Sequence, residues 1–183
     1  MKRIVVFTLS ALPLFTLLGQ EAKKVQEPEY IGVVFYLDPA GALAPLERQQ
    51  SNQAAKMKAF GFGGVQGSTS YKGAKSPVRF NVGQVIQFIV RVNAPGIEPD
   101  SLVNMDVLKV SKNDRVIVTL KSSGPMGLGG IKTRSGETLR TLKFTKYGEN
   151  SLMFSSAQAL DPGEYVITAK GGANAFLFGI DPK

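Results

Sequence analysis

The sequence predicts an all-β chain folded as an antiparallel sandwich of roughly nine to eleven short strands. Two observations carry this. Runs rich in β-branched and aromatic residues alternate apolar with polar side chains, and turn signals separate them about every 8–12 residues. No stretch repeats apolar residues at helical spacing for three turns. No internal repeat of fixed period appears either. The 183 residues fit one domain with an N-terminal appendage.

The appendage comes first. Lys2 and Arg3 precede an apolar run over 4–18. That run is shorter than the ~20 residues a spanning helix needs. A basic start, an apolar stretch and then Gly19 make a secretory signal, so residues 1–19 are expected to be removed on export. The alternative is an uncleaved anchor. Gln20 stands where a bacterial lipoprotein would need Cys, which excludes thioether lipidation. Residues 20–29 are charged and aperiodic and are expected to form a flexible lead-in. Residues 30–183 form the expected sandwich domain.

Within it, residues 30–37 read as a strand. Asp38-Pro39-Ala40-Gly41 has the preferences of a type I turn. A return strand over 42–47 contains Pro45, which cannot donate to a ladder and belongs at a sheet edge. Residues 51–58 are expected to be a strand. The segment 61–73 holds five glycines and is expected to be a flexible hairpin or loop. Alternation over 76–92 predicts two half-buried strands joined near 81–84. A turn at 93–96 leads to a single helical turn near 98–101. Strands over 103–110 and 115–121 form a hairpin. Residues 122–130 are too glycine-rich for regular structure. Further strands are expected over 138–146 and 151–155, and a final hairpin over 164–170 and 175–180.

Asp161-Pro162-Gly163-Glu164-Tyr165 stands at the entry to the penultimate strand. The pattern Asp161-x-Gly163-x-Tyr165 resembles the tyrosine corner of immunoglobulin-like sandwiches. There, a phenol satisfies a backbone group left unpaired where the chain arches between sheets. Ile167 occupies the position two residues on, where antibody domains carry Cys. The resemblance implies an immunoglobulin-like sandwich and a structural role for Tyr165. It implies no activity, because such folds host adhesion, binding and scaffold roles alike.

Composition removes most catalysis. With no Cys and no His there is no disulfide, no Cys- or His-ligated metal and no Ser–His or Cys–His pair. Gly61-Phe62-Gly63-Gly64-Val65-Gln66 fails the dinucleotide fingerprint at Gln66, and no P-loop spacing occurs. No Gly-x-Ser-x-Gly elbow and no Ser-x-x-Lys is present. No Asp-x-Asp-x-Asp run suggests calcium. No catalytic residue, cofactor or metal site is therefore expected. Asp38, Asp106, Asp114 and Asp161 are placed in turns or on solvent-facing strands.

Charge is more informative. The formal net charge of +8 falls by two, to +6, once Lys2 and Arg3 are removed. No acidic residue lies between Glu47 and Glu98, a stretch that carries seven cations, among them Lys56, Lys58, Lys72, Lys75 and Arg79. A second basic stretch includes Arg134, Arg140, Lys143 and Lys146, with Glu137 as its one acid. These cations are the candidate surface for an anionic partner. The bland alternative is solvated strand faces and protected sheet edges. Tyr71 is the candidate loop contact. Nucleic acid is not expected as a partner, since neither a recognition helix nor an aromatic RNA-binding motif appears.

The expected function is an exported, non-catalytic binding or scaffold module of the bacterial envelope, for an anionic polymer or a protein partner. Two alternatives stay open. One is a cofactor-free hydrolase using paired carboxylates. The other is a pilus-like subunit with residues 176–180 as an exchangeable edge.

Overall fold

The computed structural model describes residues 25–57, 65–92, 98–122, 131–133, 138–170, 172 and 174–183. The expected signal peptide therefore lies outside the described residues. So do Lys58, Arg134 and residues 61–64 and 123–130 of the two glycine-rich segments.

Two packed β-sheets make up the described structure, with strands numbered along the chain. Sheet 1 has the order β12 (Leu142–Tyr147), β13 (Ser151–Ser156), β7 (Phe88–Arg91), β1 (Val34–Leu37) and β2 (Leu43–Pro45). All its pairings are antiparallel. Sheet 2 runs β3 (Glu47–Gln50), β15 (Asn174–Asp181), β14 (Gly163–Ala169), β8 (Val103–Ser111), β9 (Asp114–Ser122), β5 (Val65–Lys72) and β4 (Asn52–Met57). Three short strands join its flanks. β10 (Ile131–Thr133) pairs with β9, β11 (Leu139–Arg140) with β8, and β6 (Arg79–Asn81) lies parallel to β15. Among the described residues the one helical element is a single 3-10 turn, Pro99–Ser101, where the sequence suggested one.

The strand order has a recognisable division. Reading β1, β7, β13 and β12 as A, B, E and D, and β8, β14 and β15 as C, F and G, reproduces the two sheets of an immunoglobulin-type sandwich. β9 then sits beside β8 as the extra strand of the variable type. Tyr165 falls on the F-like strand β14. Its hydroxyl donates to the Asp161 carbonyl oxygen at 2.8 Å.

The core between the sheets follows from strict alternation. Val34, Phe88, Val90 and Phe154 from sheet 1 meet Met105, Tyr165, Ile167, Phe176, Phe178 and Ile180 from sheet 2. Aromatic rings link the layers: Phe88 lies 5.4 Å from Phe154 and 5.1 Å from Phe178, centroid to centroid. Tyr165 stacks on Phe178 at 5.3 Å. Ile167 is fully buried in this cluster, so aliphatic packing stands where an antibody domain has its disulfide.

Sheet 2 has a second apolar face. Tyr71, Leu108, Ile117, Val166, Ala175 and Leu177 form a separate buried cluster. The topology explains how an outer face is covered. β3 and β4 are the two ends of the sheet path, yet only Ser51 separates them in the chain. The sheet must therefore curl until both its edges meet in one bent strand. Gln49 fastens the seam between β3 and β5. Its amide donates to the Lys72 carbonyl oxygen and accepts from the Lys72 N–H, both at 2.9 Å. A side-chain amide thus imitates one step of a backbone ladder.

Several expectations are corrected. Residues 65–72, read as part of a flexible hairpin or loop, form β5, paired antiparallel with β4 and β9. Tyr71 is consequently 3 % exposed and a member of the second core, not an exposed loop contact. The expected strand over 138–146 breaks at Thr141, with β11 in sheet 2 and β12 in sheet 1. Asp106, expected to face solvent, is 1 % exposed, because both faces of β8 are covered. Residues 176–180, an exchangeable edge only in the pilus-like alternative, are an ordinary buried strand: β15 is flanked by β14 on one side and by β3 and β6 on the other.

Candidate functional site

Charged side chains gather at two places, and a small cavity lies between the strands of the curled sheet. The first is inside one end of the curled sheet. Arg115 starts β9 and is fully buried. Its guanidinium grips Glu47 with two bonds of 2.7 Å and donates to the carbonyl oxygens of Gly73 and Lys72 at 2.9 and 2.8 Å. Glu164 lies 3.6 Å away on the other side. It accepts from the Ser76 N–H at 2.9 Å and pairs with Arg79. Arg79 also holds Asp181 at 2.7 Å.

A planar fork flanked by carboxylates and carbonyls gives each guanidinium nitrogen an acceptor, which is what allows an arginine to be buried. Burial pushes the Glu47 carboxyl up, but hydrogen bonds from Arg115, Ser76 and Gln49 outweigh it. The net result is a pKa below the ordinary value of 4.5. The hydrogen bond to Asp181 chiefly raises Arg79 above its ordinary value, and the same contact lowers Asp181. Gly179 makes this possible. A Cβ there would collide with the Arg79 guanidinium and approach Glu164 Oε1 to 2.8 Å.

Glu47 and Glu164 both lie against Arg115. Arg115 stands between them and holds Glu47 ionised, whereas a general acid needs a raised pKa. Among the described residues no three acidic side chains converge as metal ligands would.

The cavity, of about 230 Å³, is lined by Ser51, Thr69, Tyr71, Asp106, Ile117, Val166 and Thr168. It opens from the same curled sheet. Thr138 donates from its hydroxyl to Asp106 at 3.3 Å.

The second place is the N-terminal end of sheet 1. Residues 25–29, expected to be flexible, are pinned. Glu27 accepts from the N–H groups of Glu149 and Asn150 at 2.6 and 3.0 Å, and from the Ser151 hydroxyl at 2.6 Å. Those bonds, the Ser151 hydroxyl first, hold its carboxyl below the ordinary value of 4.5. Arg91 donates to the Pro28 carbonyl oxygen at 3.3 Å. Gly148, at φ +62°, lets the carboxylate approach: a Cβ there would overlap it.

Comparison with protein-family models, curated proteins and solved structures returned no match. The site therefore stands on its own geometry.

The candidate cations divide. Arg79 belongs to the buried network. Lys72 and Lys75 are exposed beside it, and Lys75 lies close enough to help lower Asp181. Arg140 is half-buried and acts on the Tyr165 phenol, whose pKa burial raises. Lys143 and Lys146 are exposed on β12, the edge of sheet 1. Lys56 lies on β4. The two basic stretches thus reach both sheets. Sequence reasoning missed Glu27, Glu47, Arg115 and Glu164. Glu164 had a signal: it alternates with Tyr165 on a strand whose every other residue is apolar or Thr.

Proposed function

We propose that this chain is an exported, non-catalytic module of the bacterial envelope that binds an anionic polymer or protein surface. One observation carries the reading. Lys72, Lys75, Lys143 and Lys146 are exposed, while Arg79 and Arg115 form ion pairs with Glu47, Glu164 and Asp181. Those three carboxylates are engaged by these two arginines rather than by the lysines. That leaves exposed ammonium groups on a rigid scaffold, which attract polyanions at low ionic strength.

The test is capture of envelope components by the exported chain at low and at high salt. Retention at low salt that is lost at high salt supports the reading. No retention at either overturns it.

A further inference from the structure

We propose that the cavity inside the curl of sheet 2 is a binding pocket for a small primary ammonium compound, received by the Asp106 carboxylate. The pocket is separate from the lysine surface and goes beyond the anionic-partner reading.

The inward faces of four strands build it. Strand pairing sets Tyr71 opposite Arg115 and Thr69 opposite Ile117 on β5 and β9, and Asp106 opposite Val166 on β8 and β14. Along β14 the inward residues run Glu164, Val166, Thr168. They pass from the arginine network through the second apolar cluster to the cavity. Thr69, Asp106 and Thr168 give the cavity its polar wall, and Tyr71, Ile117 and Val166, all members of that cluster, give it an apolar one. Ser51, the corner residue between β3 and β4, also lines it and is exposed, so the cavity meets solvent there. A concave, largely apolar site with a few convergent polar groups is the form small-molecule pockets take.

Asp106 is the anchor. It is 1 % exposed, and the Thr138 hydroxyl is among its partners, donating at 3.3 Å. A carboxylate offers about four acceptor sites. Asp106 is the one charged side chain among the described residues lining the cavity, and the other polar groups there are hydroxyls. An ammonium group carries three donors and no acceptor. It therefore matches a carboxylate beside hydroxyl oxygens, and its bond to the carboxylate is charge-assisted. An anionic ligand would be repelled by the same carboxylate. Ile117 and Val166 suit a short aliphatic body. The volume of about 230 Å³ is several times the roughly 30 Å³ of one water, which limits the ligand to about five to eight heavy atoms.

The probe is n-butylammonium, with n-butanol and butyrate as neutral and anionic counterparts of similar size. Methyl NMR of the full chain, labelled at Ile and Val, reads Ile117 and Val166 directly. Saturable shifts of both signals are expected with butylammonium, a much weaker response with butanol and none with butyrate. Asp106→Asn, its folding checked by thermal unfolding, is expected to weaken butylammonium binding about tenfold or more. Thr168→Val keeps both the carboxylate and the side-chain volume, and is expected to weaken binding a few-fold. It decides the matter if Asp106→Asn does not fold. No shift at Ile117 and Val166, equal responses to butylammonium and butanol, or native affinity in the folded variant overturns the proposal. Salt-sensitive retention through the surface lysines is independent of each of these results, so the two readings fail separately.

Discussion

Tyr165 and Arg115 show how single side chains settle this fold. The Tyr165 ring stacks in the core while its hydroxyl closes the arch before β14 through Asp161. Tyr165→Phe keeps the ring and loses one hydrogen bond, so about 1 kcal/mol of stability is expected to go. Urea unfolding of the two proteins checks this. Arg115 is different, because its removal takes the two-bond partner from Glu47 and a neighbouring cation from Glu164 inside the fold. Replacing it by Ala is expected to cost about 3–5 kcal/mol, the range for breaking one side of a buried pair. The tyrosine was legible because a short motif encodes its role. The arginine was not, since its partners lie 68 and 49 positions away in sequence and nothing local distinguishes it from a surface cation.

Acid stability belongs to the same residues. Glu27 and Glu47 titrate below their ordinary value of 4.5. A lowered carboxyl contributes stability that is complete above the unfolded pKa and is lost as pH falls through the folded one. Stability should therefore be flat near neutrality and decline below about pH 4.5. Glu47→Gln should be less stable at neutral pH and show a shallower acid decline. Thermal unfolding followed by circular dichroism across pH 2–7 reads both. An equal acid slope in the variant would contradict the assignment.

Elements make sense only once both faces of each strand are counted. β15 alternates Phe176, Phe178 and Ile180 into the first core with Ala175 and Leu177 into the second. That is why its sequence is almost continuously apolar, like a strand buried on both sides. Gly179 interrupts the run where Arg79 must cross to Glu164. Gly179→Ala adds one methyl and is expected to break that ion pair, destabilising the chain by a few kcal/mol rather than the fraction usual for a strand glycine. The test is the double variant with Arg79→Ala, which should show little further loss. Additive effects would mean the methyl acts elsewhere.

Strand positions were largely legible, from the edge proline of β2 to the final hairpin. The strand over 65–72 was not. Its glycine and serine content reads as a flexible hairpin or loop, and only pairing to β9 and β4 fixes it as a strand. Nor could one residue period reveal that β11 and β12 belong to different sheets.

At the scale of the molecule, two apolar clusters share β8, β14 and β15, one between the sheets and one within the curl of sheet 2. A scaffold braced on both sides of the same strands keeps its surface geometry fixed, and lysines at opposite margins then form a preset charge pattern. The absence of Cys and His was legible at once and directed attention from catalysis to surface. Which cations stay at that surface was not, because burial of Arg79 depends on Glu164 and Asp181 arriving from the far end of the chain.

The most direct measurement is salt-titrated retention on an immobilised polyanion, comparing the native chain with one carrying Lys72→Gln, Lys75→Gln, Lys143→Gln and Lys146→Gln. All four positions are exposed, so the variant should fold normally, as its thermal unfolding would verify. The native chain is expected to bind at low salt and elute as ionic strength rises, with the variant eluting much earlier. Identical elution of the two, or no retention of the native chain at low salt, would contradict a function built on those lysines.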